Sequence, residues 1–218
     1  MALPTYLELV NNVLVRLREP EVSTVQENTL SKLIGRLIND TKRQVENAYQ
    51  WNALTKTLTI TTLADTYGYV LTGSGQLFKV IDAQDITNKV PLKDIPTITM
   101  SNYLLHSSTS SGNPAYYNFN GVDINGDTKV DFYPVPSAGI TIYFNLYVPQ
   151  EDLAADSDTM LVPKDPVVLG AMARALVERG EDGGLNSSEA YALYRSSLAD
   201  SIAIESTRFV EEETWEAR

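Results

Sequence analysis

The chain has 218 residues, 43% hydrophobic and 21% charged, enough apolar material for one or two folded domains, which excludes disorder of the whole chain. With no cysteine and a single histidine, it excludes a disulfide scaffold, a thiolate metal site and a thiol nucleophile. Its formal charge of -11 argues against a tight nucleic-acid binder, and most of the excess lies in residues 151–218, where fifteen acids meet six bases.

The opening stretch MALPTYLELVNNVLVRLREP mixes acids and amides into its apolar residues, unlike a secretory or membrane-spanning segment. A soluble protein made in a cytoplasm, with no membrane partner, is expected. Thr5 followed by Glu8 is a capping-box signature. Behind it, Tyr6, Val10, Val13, Leu14 and Leu17 share one helical face, and Pro20 is expected to stop the helix. A longer helix follows. Leu30, Leu33, Ile34, Leu37, Ile38, Thr41, Val45, Ala48 and Tyr49 keep a spacing of three to four, and Trp51 closes the run. Lys32, Arg36, Asp40, Lys42, Arg43 and Glu46 make its expected solvent face.

From residue 53 the period falls to two. LTKTLTITTL, YGYVL, FKVIDAQDI, YYNFNGVDI, KVDFYPV and ITIYFNLYV read as strands, separated by turns such as Gly73-Ser74-Gly75 and Asn125-Gly126. A short helix is expected at Thr99–His106. Short strands with close turns indicate an antiparallel sheet or partial barrel.

After residue 163 the helical period returns. Asp165-Pro166 reads as an N-cap and first-turn proline, Leu169, Met172, Ala173, Leu176 and Val177 as the apolar stripe, and Gly180 as the stop. Asn186 with Glu189 is expected to cap a last helix carrying Tyr191, Tyr194, Leu198 and Ile202. The fold class expected is α+β. Residues 1–52 and 160–218 would form a discontinuous four-helix bundle, and residues 53–159 an inserted β-rich domain.

Chemical motifs are few. Asp123, Asn125, Asp127, Lys129 and Asp131 alternate like the start of a calcium loop, but Thr128 stands where that loop needs glycine and Pro134 where it needs glutamate. A hairpin turned at Asn125-Gly126 is the expected structure. Gly73-Ser74-Gly75 lacks the lysine and following helix of a phosphate loop. His106, the lone histidine, stands near no nucleophile-elbow serine. No catalytic residue, cofactor or metal site is expected, and the chain does not read as an enzyme. Tyrosine is frequent in the strand region, where residues 110–150 hold one base, Lys129. Subunit or partner contact suits such tyrosines better than base stacking, and Tyr116, Tyr117, Tyr133 and Tyr147 are the candidates. Arg208, Phe209, Trp215 and Arg218 set aromatic anchors in a charged terminal stretch, a pattern suited to ordering on a partner.

Three longer phrases carry a resemblance. VNNVLVRLREPEVSTV, with the helix ending NAYQWNAL, resembles the opening of podovirus adaptors of the tail tubular protein A family. GNPAYYNFNG with KVDFYPVPSAGITIYFNLYVPQEDL, and then MLVPKDPVVLGAMARALVERGED, resemble the later parts of phage head-to-tail adaptors. The resemblance implies a homo-oligomeric ring, commonly twelvefold, in the virion neck between the portal ring and a tail nozzle or other neck protein. It implies that Arg208, Phe209, Trp215 and Arg218 dock on the portal, and that genomic DNA passes through the lumen without sequence-specific binding. The sheet region is longer and richer in tyrosine than in the podovirus proteins. A receptor- or glycan-binding tail module using that sheet is the alternative.

Overall fold

The computed structural model describes residues 3–105, 110–180 and 185–208. The fold is α+β, with five α-helices among the described residues and two open four-stranded sheets. It divides into two compact units, Met1–Leu54 with Gln150–Arg218, and Thr55–Pro149.

In the first unit, α1 (Tyr6–Arg16) opens with the reciprocal cap, Thr5 Oγ1 accepting from Glu8 N and Glu8 Oε2 from Thr5 N. The first-turn amides of Tyr6 and Leu7 donate to the carbonyls of Asp158 and Asp156, so orphan donors of the helix start are satisfied. The helix ends at Leu17 and Arg18, whose φ is 60°, two residues before the proline expected to stop it. α2 (Thr29–Ala48) is capped by Asn28 and Ser31 and leads through Trp51 to a 3-10 turn at Asn52–Leu54. α4 (Lys164–Arg179) packs on α1, α2 and α5 (Leu185–Ser206).

Gly170 explains how closely three of these helices approach. A Cβ there would stand 2.5 Å from Thr41 Cγ2 of α2 and 3.0 Å from Tyr194 Cδ2 of α5. The apolar stripes of α1, α2 and α4 share one core with Tyr194 of α5. Tyr191, expected on that stripe, is instead exposed, because the buried line of α5 runs through Ala190, Tyr194 and Glu205. α4 also begins earlier than expected. Pro163, not Asp165, is its N-cap, and Asp165 lies in the first turn.

Two further expectations are corrected by the segment that returns from the sheets. Residues 150–159 were expected in the β-rich insert, yet they belong to the helical unit, where Leu153 is buried in the core. Lys42 and Glu46, expected on the solvent face of α2, are buried beneath that segment. Lys42 Nζ donates to Glu46 Oε1 at 3.1 Å and to the carbonyls of Gln150 at 2.7 Å and Glu151 at 3.0 Å. Asn39, one turn earlier, exchanges two bonds with the Leu153 backbone, and Glu46 Oε1 accepts from Gln150 N. A strand leaving a sheet exposes unpaired backbone groups, and the polar face of α2 supplies their partners.

In the second unit, one sheet has the order β1 (Thr55–Thr61), β10 (Thr141–Tyr147), β3 (Lys79–Asp85), β4 (Val90–Pro91). The other runs β2 (Gly68–Leu71), β8 (Thr128–Tyr133), β7 (Tyr116–Val122), β5 (Lys93–Asp94). A two-stranded pair joins β6 (Ser111–Gly112) to β9 (Val135–Pro136). The sheets are antiparallel except for the β5–β7 and β6–β9 pairs. They share a core in which Phe144 of β10 lies 5.2 Å from Tyr117 and 6.2 Å from Phe132, ring centre to centre. Of the two expected forms, antiparallel sheet or partial barrel, the described residues show antiparallel sheets packed on common side chains, with no closed barrel. α3 (Thr97–Leu105) lies along the outer side of β7 and β8.

Candidate interaction surfaces

Alternation along β7 and β8 decides which tyrosines can meet a partner. Tyr117 and Phe119 point to the shared core with Val130 and Phe132, leaving Tyr116, Asn118, Asp131 and Tyr133 on the opposite face. Tyr117, expected at an interface, is therefore a core residue. Burial, with Asp94 and Asp82 nearby, pushes its phenol up to about 12. Tyr116 and Tyr133 are half-buried. They form a cluster with Tyr103 of α3, which stacks on Tyr133 at 4.6 Å and 23° and tilts against Tyr116 at 6.3 Å. Tyr147 is half-buried at the end of β10.

Beneath α3, Asn118 Nδ2 donates to Thr97 Oγ1 and Asn120 Nδ2 to Asp131 Oδ2. Burial raises Asp131 above the ordinary carboxylate range, and the Asn120 bond only partly offsets it. The outward side of α3 carries Ile98, Asn102 and Leu105 and no charge. Ile98 is 70% exposed and Leu105 83%, seven residues apart and hence on one stripe. Tyr103 and this stripe were not identified from the sequence. Its sole signal there was an uncharged helical run, Thr97–Leu105, between polar loops.

The far end of the β7–β8 hairpin is the stretch with calcium-loop character, and it is a braced turn. Asp123 Oδ1 accepts from the amides of Asn125 and Asp127, while Gly126 takes the positive φ of 86° that the turn requires. Desolvation works against the charged form of Asp123, but these amide donors outweigh it and hold the carboxyl below its usual range. Asp127 Oδ1 accepts from Gly73 N and Gly75 N, so the Gly73-Ser74-Gly75 turn spends these amides on a carboxylate of the chain itself. Thr128 completes the brace, its amide donating to Ser74 Oγ and its hydroxyl to the Gly75 carbonyl. Ile124 at the tip is 100% exposed and Leu77 of the braced neighbouring loop 79%.

At the other candidate surface, Arg208 pairs with Glu205 at 3.2 Å, and Glu205 Oε1 accepts from Asn52 N. Phe209, Trp215 and Arg218 lie outside the described residues, as does His106. Among the described residues, no group of three or more histidine, aspartate or glutamate side chains converges to hold a metal ion. None of the described helices is long and apolar enough to cross a membrane.

Exposed aromatic and aliphatic side chains mounted on rigid backbone are the anchors of a binding protein. The chain belongs to the SU10 adaptor protein family, whose model matches residues 4–212, and is thus a member of a phage head-to-tail adaptor family. No curated protein matches it in sequence.

Proposed function

We propose that this chain is a structural, non-catalytic subunit of a phage neck, forming a ring that joins the portal to the tail and lets DNA pass through its lumen. The family match over residues 4–212 carries the reading. In this reading α1, α2, α4 and α5 act together as a four-helix bundle on the portal side, and the ring is twelvefold. The C-terminal residues Arg208, Phe209, Trp215 and Arg218 anchor in the portal, starting from the point where Glu205 ties α5 to Asn52. Tyr116, Tyr133 and Tyr147 serve contacts with neighbouring subunits or with the nozzle or other distal tail protein. The fifteen acids of residues 151–218 suit a conduit that must not hold DNA. The subunit is made in the host bacterial cytoplasm, works in the virion neck, and uses no cofactor, metal or membrane.

Purified protein mixed with portal rings should co-sediment with them, and class averages of the complex should show an added ring on the portal axis. Absence of co-sedimentation at micromolar concentration would overturn the proposal. Glycan binding without portal association would point to the receptor-binding alternative.

A further inference from the structure

Beneath α3, the outer face of the β7–β8 pair holds a buried acceptor without a donor. Asn118 is 2% exposed, and its Nδ2 donates to Thr97 Oγ1 of α3 at 3.1 Å and to the Phe119 carbonyl at 3.4 Å. Its Oδ1 accepts from no group of the described residues. Leaving such an atom unpaired in the interior is costly. Its partner in register is Asp131, also buried. Partners of this kind on one face have Cβ atoms about 4.5–5.5 Å apart, close enough for the ends of the two side chains to meet.

Asp131 in turn lacks what an anion needs. Among the described residues its carboxyl accepts one hydrogen bond, from Asn120 Nδ2 at 2.9 Å, and no ion pair includes it. The charges on its face are Lys129, two residues along β8, and Lys93 of β5, beyond β7, both exposed. α3 brings no charge from Thr97 to Leu105, and its titratable group is Tyr103. β7 and β8 add the phenols of Tyr116 and Tyr133. β2 brings Gly68 and Val70, and a Cβ at Gly68 would stand 3.2 Å from Asp131 Oδ1, so the backbone of that strand lies close against the carboxyl.

A carboxylate and an amide oxygen can only accept, so an ionised Asp131 would face Asn118 Oδ1 with no proton between them. Turning the Asn118 amide over is a poor remedy, because it sets Oδ1 against the Phe119 carbonyl that now receives Nδ2. One proton on Asp131 supplies the missing donor and removes a buried, unpaired charge.

We propose that Asp131 folds beneath α3 as a carboxylic acid donating its proton to Asn118 Oδ1, and that its ionisation loosens α3 from the sheet. Burial, only partly offset by the Asn120 bond, holds this carboxyl above the ordinary range. Such a group stabilises the fold below its unfolded pKa, and the contribution is lost as pH rises through the folded one. α3 is therefore seated most firmly at the acid end, and rising pH weakens the Thr97 bond and the Tyr103–Tyr133 stack.

Carbon-detected NMR of the side-chain carboxyls of the full chain, assigned through the backbone resonances, tests this. Asp131 should titrate above the ordinary carboxyl value. Exchange of the α3 amides, corrected for its intrinsic pH dependence, should quicken about tenfold as pH rises through that midpoint. Asp131→Asn keeps an amide donor for Asn118 Oδ1 and cannot ionise, so its α3 amides should stay protected over the same range. His106→Gln should respond as the unsubstituted chain does. A midpoint at or below the ordinary value overturns the proposal and leaves Asp131 ionised beside a turned amide. So does α3 exchange that ignores the Asp131 midpoint, a pH response that persists in Asp131→Asn, or one that disappears in His106→Gln. If Asp131→Asn does not fold, the titration and exchange of the unsubstituted chain still decide.

Discussion

Replacing Lys42 with methionine isolates the polar clamp beneath the returning segment. The substitution keeps the length and removes the cation, leaving the carbonyls of Gln150 and Glu151 without their donor. Glu46 would keep Gln150 N at 3.3 Å as a hydrogen-bond donor, and its Oε2 already accepts none. Breaking one side of a buried ion pair costs about 3–5 kcal/mol, well above the near-zero value of an exposed pair. At about 3 °C per kcal/mol this lowers the melting temperature by roughly 10–15 °C.

The cost depends on pH. Burial already raises the Glu46 pKa, with Lys42 opposing it, and removing Lys42 raises it further. A carboxyl with a raised folded pKa contributes most below its ordinary value, and that contribution is lost as pH rises through the folded pKa. The deficit of Lys42→Met should therefore be largest near pH 8 and shrink towards pH 5, where a neutral Glu46 tolerates burial. Urea denaturation followed by circular dichroism at both pH values measures it. The pair Lys42→Met/Glu46→Leu should be less destabilised than Lys42→Met alone at pH 8. A Lys42→Met deficit under about 1 kcal/mol, or one equal at the two pH values, would refute the clamp.

Other outcomes follow from the same geometry. Gly170→Ala places a methyl 2.5 Å from Thr41 Cγ2; overpacking of about 1–3 kcal/mol should outweigh the helix-propensity gain of about 1 kcal/mol, seen as a lower urea midpoint. Asp127→Ala releases the amides of Gly73 and Gly75, whose hydrogen exchange should accelerate about tenfold or more while the global midpoint moves little. Tyr117 should ionise well above the ordinary tyrosine range in a titration at 295 nm. Its contribution to stability is complete below pH 10 and is lost as pH rises through about 12. Deleting residues 206–218 retains Glu205 and its bond to Asn52, so helical circular dichroism should persist while portal co-sedimentation is lost.

Much of the surface chemistry was legible in the chain because it is local. The Asn125-Gly126 turn needs only neighbouring residues, and Tyr116 and Tyr133 stand in strands whose period was plain, whereas Ile124, read as the end of the strand YYNFNGVDI, stands exposed at the turn. What alternation could not decide was which face of β7 meets the second sheet, and so Tyr117 was grouped with Tyr116 although one is core and the other is not. Tyr103 escaped notice because its role depends on α3 lying across β7 and β8.

The sequence alone determined the helix periods, the Thr5–Glu8 box, six strands and the Asn125-Gly126 turn, since each is a matter of residues within a few positions of one another. Only the tertiary structure decided that Lys42 and Glu46 are buried, because their partners at Gln150 and Glu151 are about a hundred residues away. On a lone helix, charges at that spacing belong to water. Here they are held inside by backbone groups that leave a sheet and need donors, a demand no local pattern encodes.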